Sequence, residues 1–230
     1  MALWLNRSGR HCEYEDKFLG DNRIYLTWGE LRQDLGKIEA RKDLMPVLEE
    51  AYPKFTQSHR VQNSGQIWAF TRRMSPGDWV CVPSKRKTIH VGQITGPYTF
   101  DPDAESPYYH FRTVKWIETD IPRTCFDKDI LNSLGAFTTV CQISRNDAEK
   151  RVRAMQSNGW KSVGIKLKPG KDDEAAGDDG SGSDIDIEQI ARDQIARLII
   201  SKYNGHGMEE LVPPASGQCN TGRWLAGKSF

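Results

Sequence analysis

Between Val61 and Ser84 the chain runs Val-Gln-Asn-Ser-Gly-Gln-Ile-Trp-Ala-Phe-Thr-Arg-Arg-Met-Ser-Pro-Gly-Asp-Trp-Val-Cys-Val-Pro-Ser, and no other stretch constrains the fold as much. Ile67, Phe70 and Met74 recur at helical spacing while Arg72 and Arg73 fall off that stripe, which predicts a short helix with one buried face. Pro76-Gly77-Asp78 must stop it. Proline cannot continue the hydrogen-bond ladder, and glycine accepts the positive φ that a tight turn needs. A strand should follow, with Trp79, Cys81 and Pro83 pointing one way and Val80 and Val82 the other.

The flanking sequence supplies more strands. Ala2 to Arg7 reads as a short strand with Leu3 and Leu5 opposite Trp4, His11 to Leu19 as an amphipathic helix, and Asn22 to Trp28 as a second strand. From Gly29 to Lys54 the pattern is helical and charged, with Leu31, Leu35, Ile38, Leu44, Val47, Leu48 and Ala51 on the buried stripes. Thr88 to Ile94 is a strand in which Gly92 marks a bulge or a close backbone approach. Residues 96–107 form a proline-rich acidic loop. Tyr108 to Thr119 is a long strand, Phe126 to Leu134 a short helix, Phe137 to Ile143 a closing strand, and Asn146 to Met155 a helix buried through Ala148, Val152 and Met155. Six strands with short helices between them, and no alternation of long helices with parallel strands, predict an α+β chain built on a small curved or closed barrel.

At 230 residues and 37% hydrophobic, the chain has material for one good core and a remainder. Net charge is +1, which excludes nothing by itself, but the first 163 residues carry a small excess of Lys and Arg and the rest a small excess of Asp and Glu. Cys12, Cys81, Cys125, Cys141 and Cys219 form no Cys-x-x-Cys pair, and no secretory signal opens the chain. Reduced thiols in a cytoplasm are expected, with Cys81 and Cys141 as buried small hydrophobes. The five histidines show no metal-ligand spacing, and no apolar run reaches the length of a membrane span.

The segment from Asn63 through Met74 to Gly77-Asp78 and its apolar strand resembles EVE-type domains of the PUA-like superfamily, relatives of the YTH readers of modified RNA. The longer run from Met1 to about Met155 resembles the amino-terminal module of Mrr-like restriction proteins. The resemblance implies a PUA-like (EVE/YTH-like) curved barrel over residues 1–158. It also implies a base turned out of its stack and enclosed by aromatic rings, with polar groups at its edge. Carried over residue by residue, it places Trp28 at the tryptophan before the Asn-containing helix and Asn63 at that asparagine. Trp4 and Ser84 are weaker placements, and Trp68 and Trp79 read as core. Each tryptophan serves core packing as readily as stacking. Gln62 and Ser64 stand where many EVE domains have an arginine beside the asparagine. Lys85-Arg86-Lys87 reads equally as a solvated hairpin tip and as a contact to phosphates that adds affinity without discrimination.

Composition changes abruptly after residue 158. Residues 159–184 read as an acidic Gly/Ser-rich flexible linker and 185–203 as a helix. Gly205 to Val212 resembles the first helix of an Mrr-type PD-(D/E)xK nuclease domain, with Met208 and Glu209 at the Phe-Glu positions, so 185–212 reads as the start of a truncated nuclease domain. Pro213-Pro214 breaks that helix, and 213–230 reads as an unstructured tail left by truncation or frameshift. The Asp and Gln-x-Lys motifs that would hold Mg²⁺ and activate water are missing. No catalytic residue, cofactor or metal is therefore expected, Mg²⁺ belonging only to an intact nuclease domain. The sequence-level expectation is a specificity module of a modification-dependent restriction system that binds modified DNA. The alternatives are a YTH-like reader of modified RNA and an inactive nuclease remnant.

Overall fold

The structure, a computed structural model, describes residues 1–136 and 138–161 together with positions 191, 192, 195 and 199. Seven strands form one mixed sheet in the order β2 (Arg23–Tyr25), β6 (His110–Pro122), β4 (Thr88–Ile94), β3 (Trp79–Pro83), β1 (Leu3–Asn6) and β7 (Val140–Gln142), with β5 (Thr99–Phe100) paired to β6. Among the described residues only β1 and β3 run parallel; every other pairing is antiparallel. The sheet curls into a half-barrel with short helices around it, so the chain is α+β.

The period-2 pattern of β1 and β3 decides which layer each residue joins. Trp4, Val80 and Val82 enter one core with Ile67, Phe70 and Met74, the apolar stripe of the central helix. Leu3, Leu5, Trp79 and Cys81 enter the other, against Ile130, Leu131 and Leu134 of α4 (Lys128–Leu134) and Val152 and Met155 of α5 (Ala148–Ser157). The central helix is longer than its apolar stripe. It begins as α3 (Gln57–Trp68), where Thr56 Oγ1 accepts from the His59 amide, and widens into a π turn over Ala69–Arg73 before Gly77 takes φ +95°. Arg112 then closes the helix end: its Nε donates to the Phe70 carbonyl at 2.7 Å and a terminal nitrogen to Thr71 at 3.2 Å. A buried cation on the last carbonyls both satisfies them and matches the helix dipole. Burial moves the Arg112 guanidinium down to about 10.

Several expectations need correction. The segment 29–54 is helical only in α2 (Leu44–Ala51); before it come two short 3₁₀ turns, Leu35–Lys37 and Arg41–Asp43. Asp34 caps the Gly36 amide and Arg72 grips the carbonyls of Gly36 and Ile38, so side chains replace a helical ladder there while Leu31 and Leu35 are still buried. Helix α1 (Glu15–Asp21) starts late because Gly9 and Cys12 take left-handed φ values of +95° and +57°. Strand β2 stops at Tyr25, since the Trp28 amide turns back onto the Leu26 carbonyl. The acidic loop contributes β5, giving seven strands among the described residues rather than six, and the closing strand is described as Val140–Gln142.

At Gly92 the expectation holds: register shifts interrupt β4 beside it, and an added Cβ would lie 2.4 Å from Val114 Cγ1. No helix among the described residues is long and apolar enough to cross a membrane. The predicted linker and the nuclease-like start lie outside the described residues. Of the predicted 185–203 helix only positions 191, 192, 195 and 199 are described, and these are helical.

Candidate functional site

The four residues expected to share a pocket are spread over the fold. Trp28 follows β2 and is half-buried against the main core. Its neighbours fix the loop: the Leu31 amide donates to the Trp28 carbonyl, and the Glu30 amide reaches Tyr52 Oη. Asn63 is half-buried on α3, where its Oδ1 accepts from Gln66 Nε2 at 3.4 Å. Gln66 Oε1 in turn accepts from the amides of Thr139 and Val140, which ties Asn63 to the β7 side of the sheet. No hydrogen bond or ring contact joins Trp28 to Asn63.

Ser84 follows β3 in a buried polar cluster. Its hydroxyl donates to Glu15 Oε1 at 2.7 Å, the Lys85 amide donates to Glu15 Oε2 at 2.8 Å, and His90 Nε2 lies 2.9 Å from Oε1. The Asp120 amide donates to His90 Nδ1 at 3.1 Å. A nitrogen that accepts from an amide carries no proton, so the ring's hydrogen sits on Nε2 and points at Glu15. Burial by itself pushes the Glu15 carboxyl up, but its donors outweigh that and hold it below the usual range. Glu15, His90 and Asp120 offer ligand atoms within 4.8 Å of one another. Both ring nitrogens of His90 are already engaged, however, so a cation would have to break one of these bonds. The arrangement is a hydrogen-bond clamp between α1 and the β3–β4 hairpin. Sequence reading missed Glu15 and His90 because the pairing spans 75 residues and neither lies in a motif.

The predicted phosphate contacts sit on this hairpin tip, all exposed. Lys85 Nζ is 3.9 Å from Asp16 and Arg86 is 3.6 Å from Asp120, while Lys87 takes a left-handed φ of +60°. Exposed pairs of this kind contribute little energy but lower the local positive potential.

Trp4 is 2% exposed and its indole N–H donates to Asp78 Oδ2 at 3.0 Å. Asp78 also accepts from the amides of Ala2 and Ser75, at 2.8 and 3.1 Å. Beside this knot lies an open groove of about 540 Å³ whose walls include Trp4, Arg73, Asp78 and Gln142. Of the four expected pocket residues, Trp4 therefore lines a groove, Ser84 is locked to Glu15, and Trp28 and Asn63 remain partly accessible on separate elements.

Residues 4–143, more than half of the chain, match the profile of a family described as a domain of unknown function, DUF8426. The chain belongs to the DUF8426 family. The matched span starts in β1 and ends just after β7, so it takes in nearly all of the sheet, the Glu15–His90 clamp and the hairpin tip. No curated protein and no solved structure matches the chain.

Proposed function

We propose that residues 1–158 form a PUA-like module of the EVE/YTH kind that binds DNA carrying a modified base, as the specificity part of an Mrr-like, modification-dependent restriction system. The curled mixed sheet with short flanking helices supports the fold assignment. The observation that carries the functional reading is the state of Trp28. This residue leaves the strand ladder, rests against the core and is only half-buried, whereas Trp4 and Trp79 are buried at 2% and 3% exposure. A tryptophan packed on the core yet not fully buried suits base stacking, which contributes about 1–3 kcal/mol per base. Asn63, half-buried and bonded only at Oδ1, supplies an amide for the edge of a base.

The test is direct binding of the purified full chain to matched duplexes with and without 5-methylcytosine, hydroxymethylcytosine, glucosylated cytosine or N6-methyladenine, alongside single-stranded DNA and RNA of the same sequence. A preference of at least about tenfold for one modified duplex supports the reading. A preference for modified RNA would move the module to the YTH-like alternative, and no preference for any modification would refute the proposal.

A further inference from the structure

The pairing between β4 and β6 slips at His90. Ile89 pairs with Ile121 and Val91 with Glu118, so His90 faces two residues, Thr119 and Asp120. In this bulge Asp120 takes a left-handed φ of +56°, and its amide leaves the ladder to donate to His90 Nδ1 at 3.1 Å. The ring is 1% exposed, with Glu15 at its other nitrogen. The Asp120 carboxylate is exposed: it accepts from Thr88 Oγ1 at 2.9 Å and stands 3.6 Å from Arg86. One of its oxygens is nevertheless within 4.8 Å of a ring nitrogen.

A backbone amide can only donate, so the ring holds it only while Nδ1 is bare. Histidine is the side chain that changes charge between about pH 5 and 8, and a proton on Nδ1 would set two N–H groups against each other. The Asp120 carboxylate is an acceptor within reach of that proton. Although burial pushes the Glu15 carboxyl up, its donors hold it below the usual range, so it is already ionised across this window. Around these groups lie Cys12 and Asp16 on the α1 side, Lys85, Arg86 and Lys87 at the hairpin tip, and Glu118 on β6. Burial pushes the Cys12 thiol up and keeps it neutral, while the other five are exposed and screened by solvent.

We propose that His90 is a pH-operated latch on the hairpin tip: on protonation its ring exchanges the Asp120 amide for the Asp120 carboxylate, which draws that carboxylate off Arg86 and raises the affinity of the tip for a nucleic-acid backbone. The proton comes from solvent and stays on Nδ1. Asp120 is exposed, so its freed amide turns to water. One positive charge is gained beside the tip and Arg86 loses its acidic neighbour, and both changes favour phosphate. The inference rests on the nucleic-acid function proposed above and adds regulation to it.

Two measurements on the full chain test it. In the free protein, the nitrogen resonances of the His90 ring and of the Asp120 amide are followed from about pH 8 to about pH 5.5 and should move together with one midpoint. Binding of a labelled unmodified duplex is then compared at the two pH values and constant salt for the wild type, His90→Gln and Asp120→Asn. Glutamine can donate to Glu15 and accept from the Asp120 amide but takes up no proton. Asp120→Asn keeps the amide at an exposed position whose φ suits asparagine, so it preserves the fold where His90→Gln does not. The wild type should gain affinity on acidification by at least about threefold more than either variant, and Asp120→Asn should bind more tightly than the parent at the higher pH because Arg86 has no acid beside it. An Asp120 amide that stays fixed while His90 titrates, an equal gain in Asp120→Asn, or no binding of the duplex at either pH overturns the inference. Modified-duplex discrimination without the acid-dependent gain leaves the function above standing and removes the latch. An acid-dependent gain lost in Asp120→Asn, without any modified-duplex discrimination, does the reverse.

Discussion

Glu15 Oε1 stands 2.9 Å from His90 Nε2 and joins the first turn of α1 to the middle of β4. Ser84 and the Lys85 amide complete the set of donors on that carboxylate, so it fastens the helix to the β3–β4 hairpin. Glu15→Ala would leave the Ser84 hydroxyl, the Lys85 amide and the His90 ring without an acceptor. Unpaired buried donors cost about 1–3 kcal/mol each, so the variant should lose about 3 kcal/mol or more in urea unfolding at neutral pH. Glu15→Gln keeps one acceptor and should lose less. The acid limb provides a second check. The Glu15 pKa is lower in the folded chain than its ordinary value of 4.5, so its stabilising effect is complete above that pH and is lost as pH falls through the lower folded value. The stability of Glu15→Gln should therefore fall less steeply than that of the parent below about pH 4.5. Equal slopes would show that this carboxylate is not the titrating group.

Gly92 and Gly20 should respond oppositely to alanine. At Gly92 the new Cβ would meet Val114 Cγ1 at 2.4 Å and the Trp116 ring at 3.0 Å, inside the β4–β6 pairing. Overpacking of this kind costs about 1–3 kcal/mol. Gly20 lies in α1 with nothing within 4 Å of the added atom, and helix propensity favours alanine there by about 0.5–1 kcal/mol. Chemical unfolding of the two single variants should give shifts of opposite sign. A stabilised Gly92→Ala would show that β4 and β6 have room the packing does not indicate.

The sequence made the centre of the fold legible and left its connections obscure. Alternation in Leu3–Leu5 and Trp79–Val82 assigned both faces of the sheet correctly, because side-chain direction in a strand follows from backbone geometry alone. Apolar spacing between Leu31 and Leu48 identified buried residues but not their backbone. Arg72 and Asp34 hold the 3₁₀ turns there, and bonds of that kind, 34 to 36 residues away in the case of Arg72, leave no periodic trace. Site residues divide the same way. Trp4, Trp28, Asn63 and Ser84 could be named from pattern, but which of them meet depends on partners such as Asp78 and Glu15, chosen by tertiary structure.

Asn6 offers a test of polar burial. It is 0% exposed at the end of β1, and neither its amide nitrogen nor its oxygen has a hydrogen-bond partner. An unpaired buried amide is costly, and an apolar group of similar size removes that cost. Asn6→Leu should therefore match or exceed the parent in thermal stability. A drop of several degrees would instead indicate an ordered water bridging Asn6 to nearby polar groups such as the unpaired Ser8 hydroxyl.

Substitutions at Trp28 and Trp4 test the proposed recognition role apart from architecture. Trp4 is enclosed in the main core and satisfies Asp78, so Trp4→Ala removes a large buried ring and strands a carboxylate that also holds Ala2 and Ser75. Truncation of a buried tryptophan costs about 3–5 kcal/mol, and Trp4→Ala should unfold well below the parent temperature. Trp28 is half-buried, and no hydrogen bond of its indole contributes to the fold. Its truncation should cost about half as much, about 2 kcal/mol, and leave a folded protein at 25 °C. The decisive comparison is made on that folded protein. If Trp28 stacks on an extruded base, Trp28→Ala binds modified and unmodified duplexes equally, while its backbone affinity and salt dependence stay near the parent's because Lys85, Arg86 and Lys87 are untouched. Retained discrimination in a folded Trp28→Ala would remove Trp28 from the recognition surface.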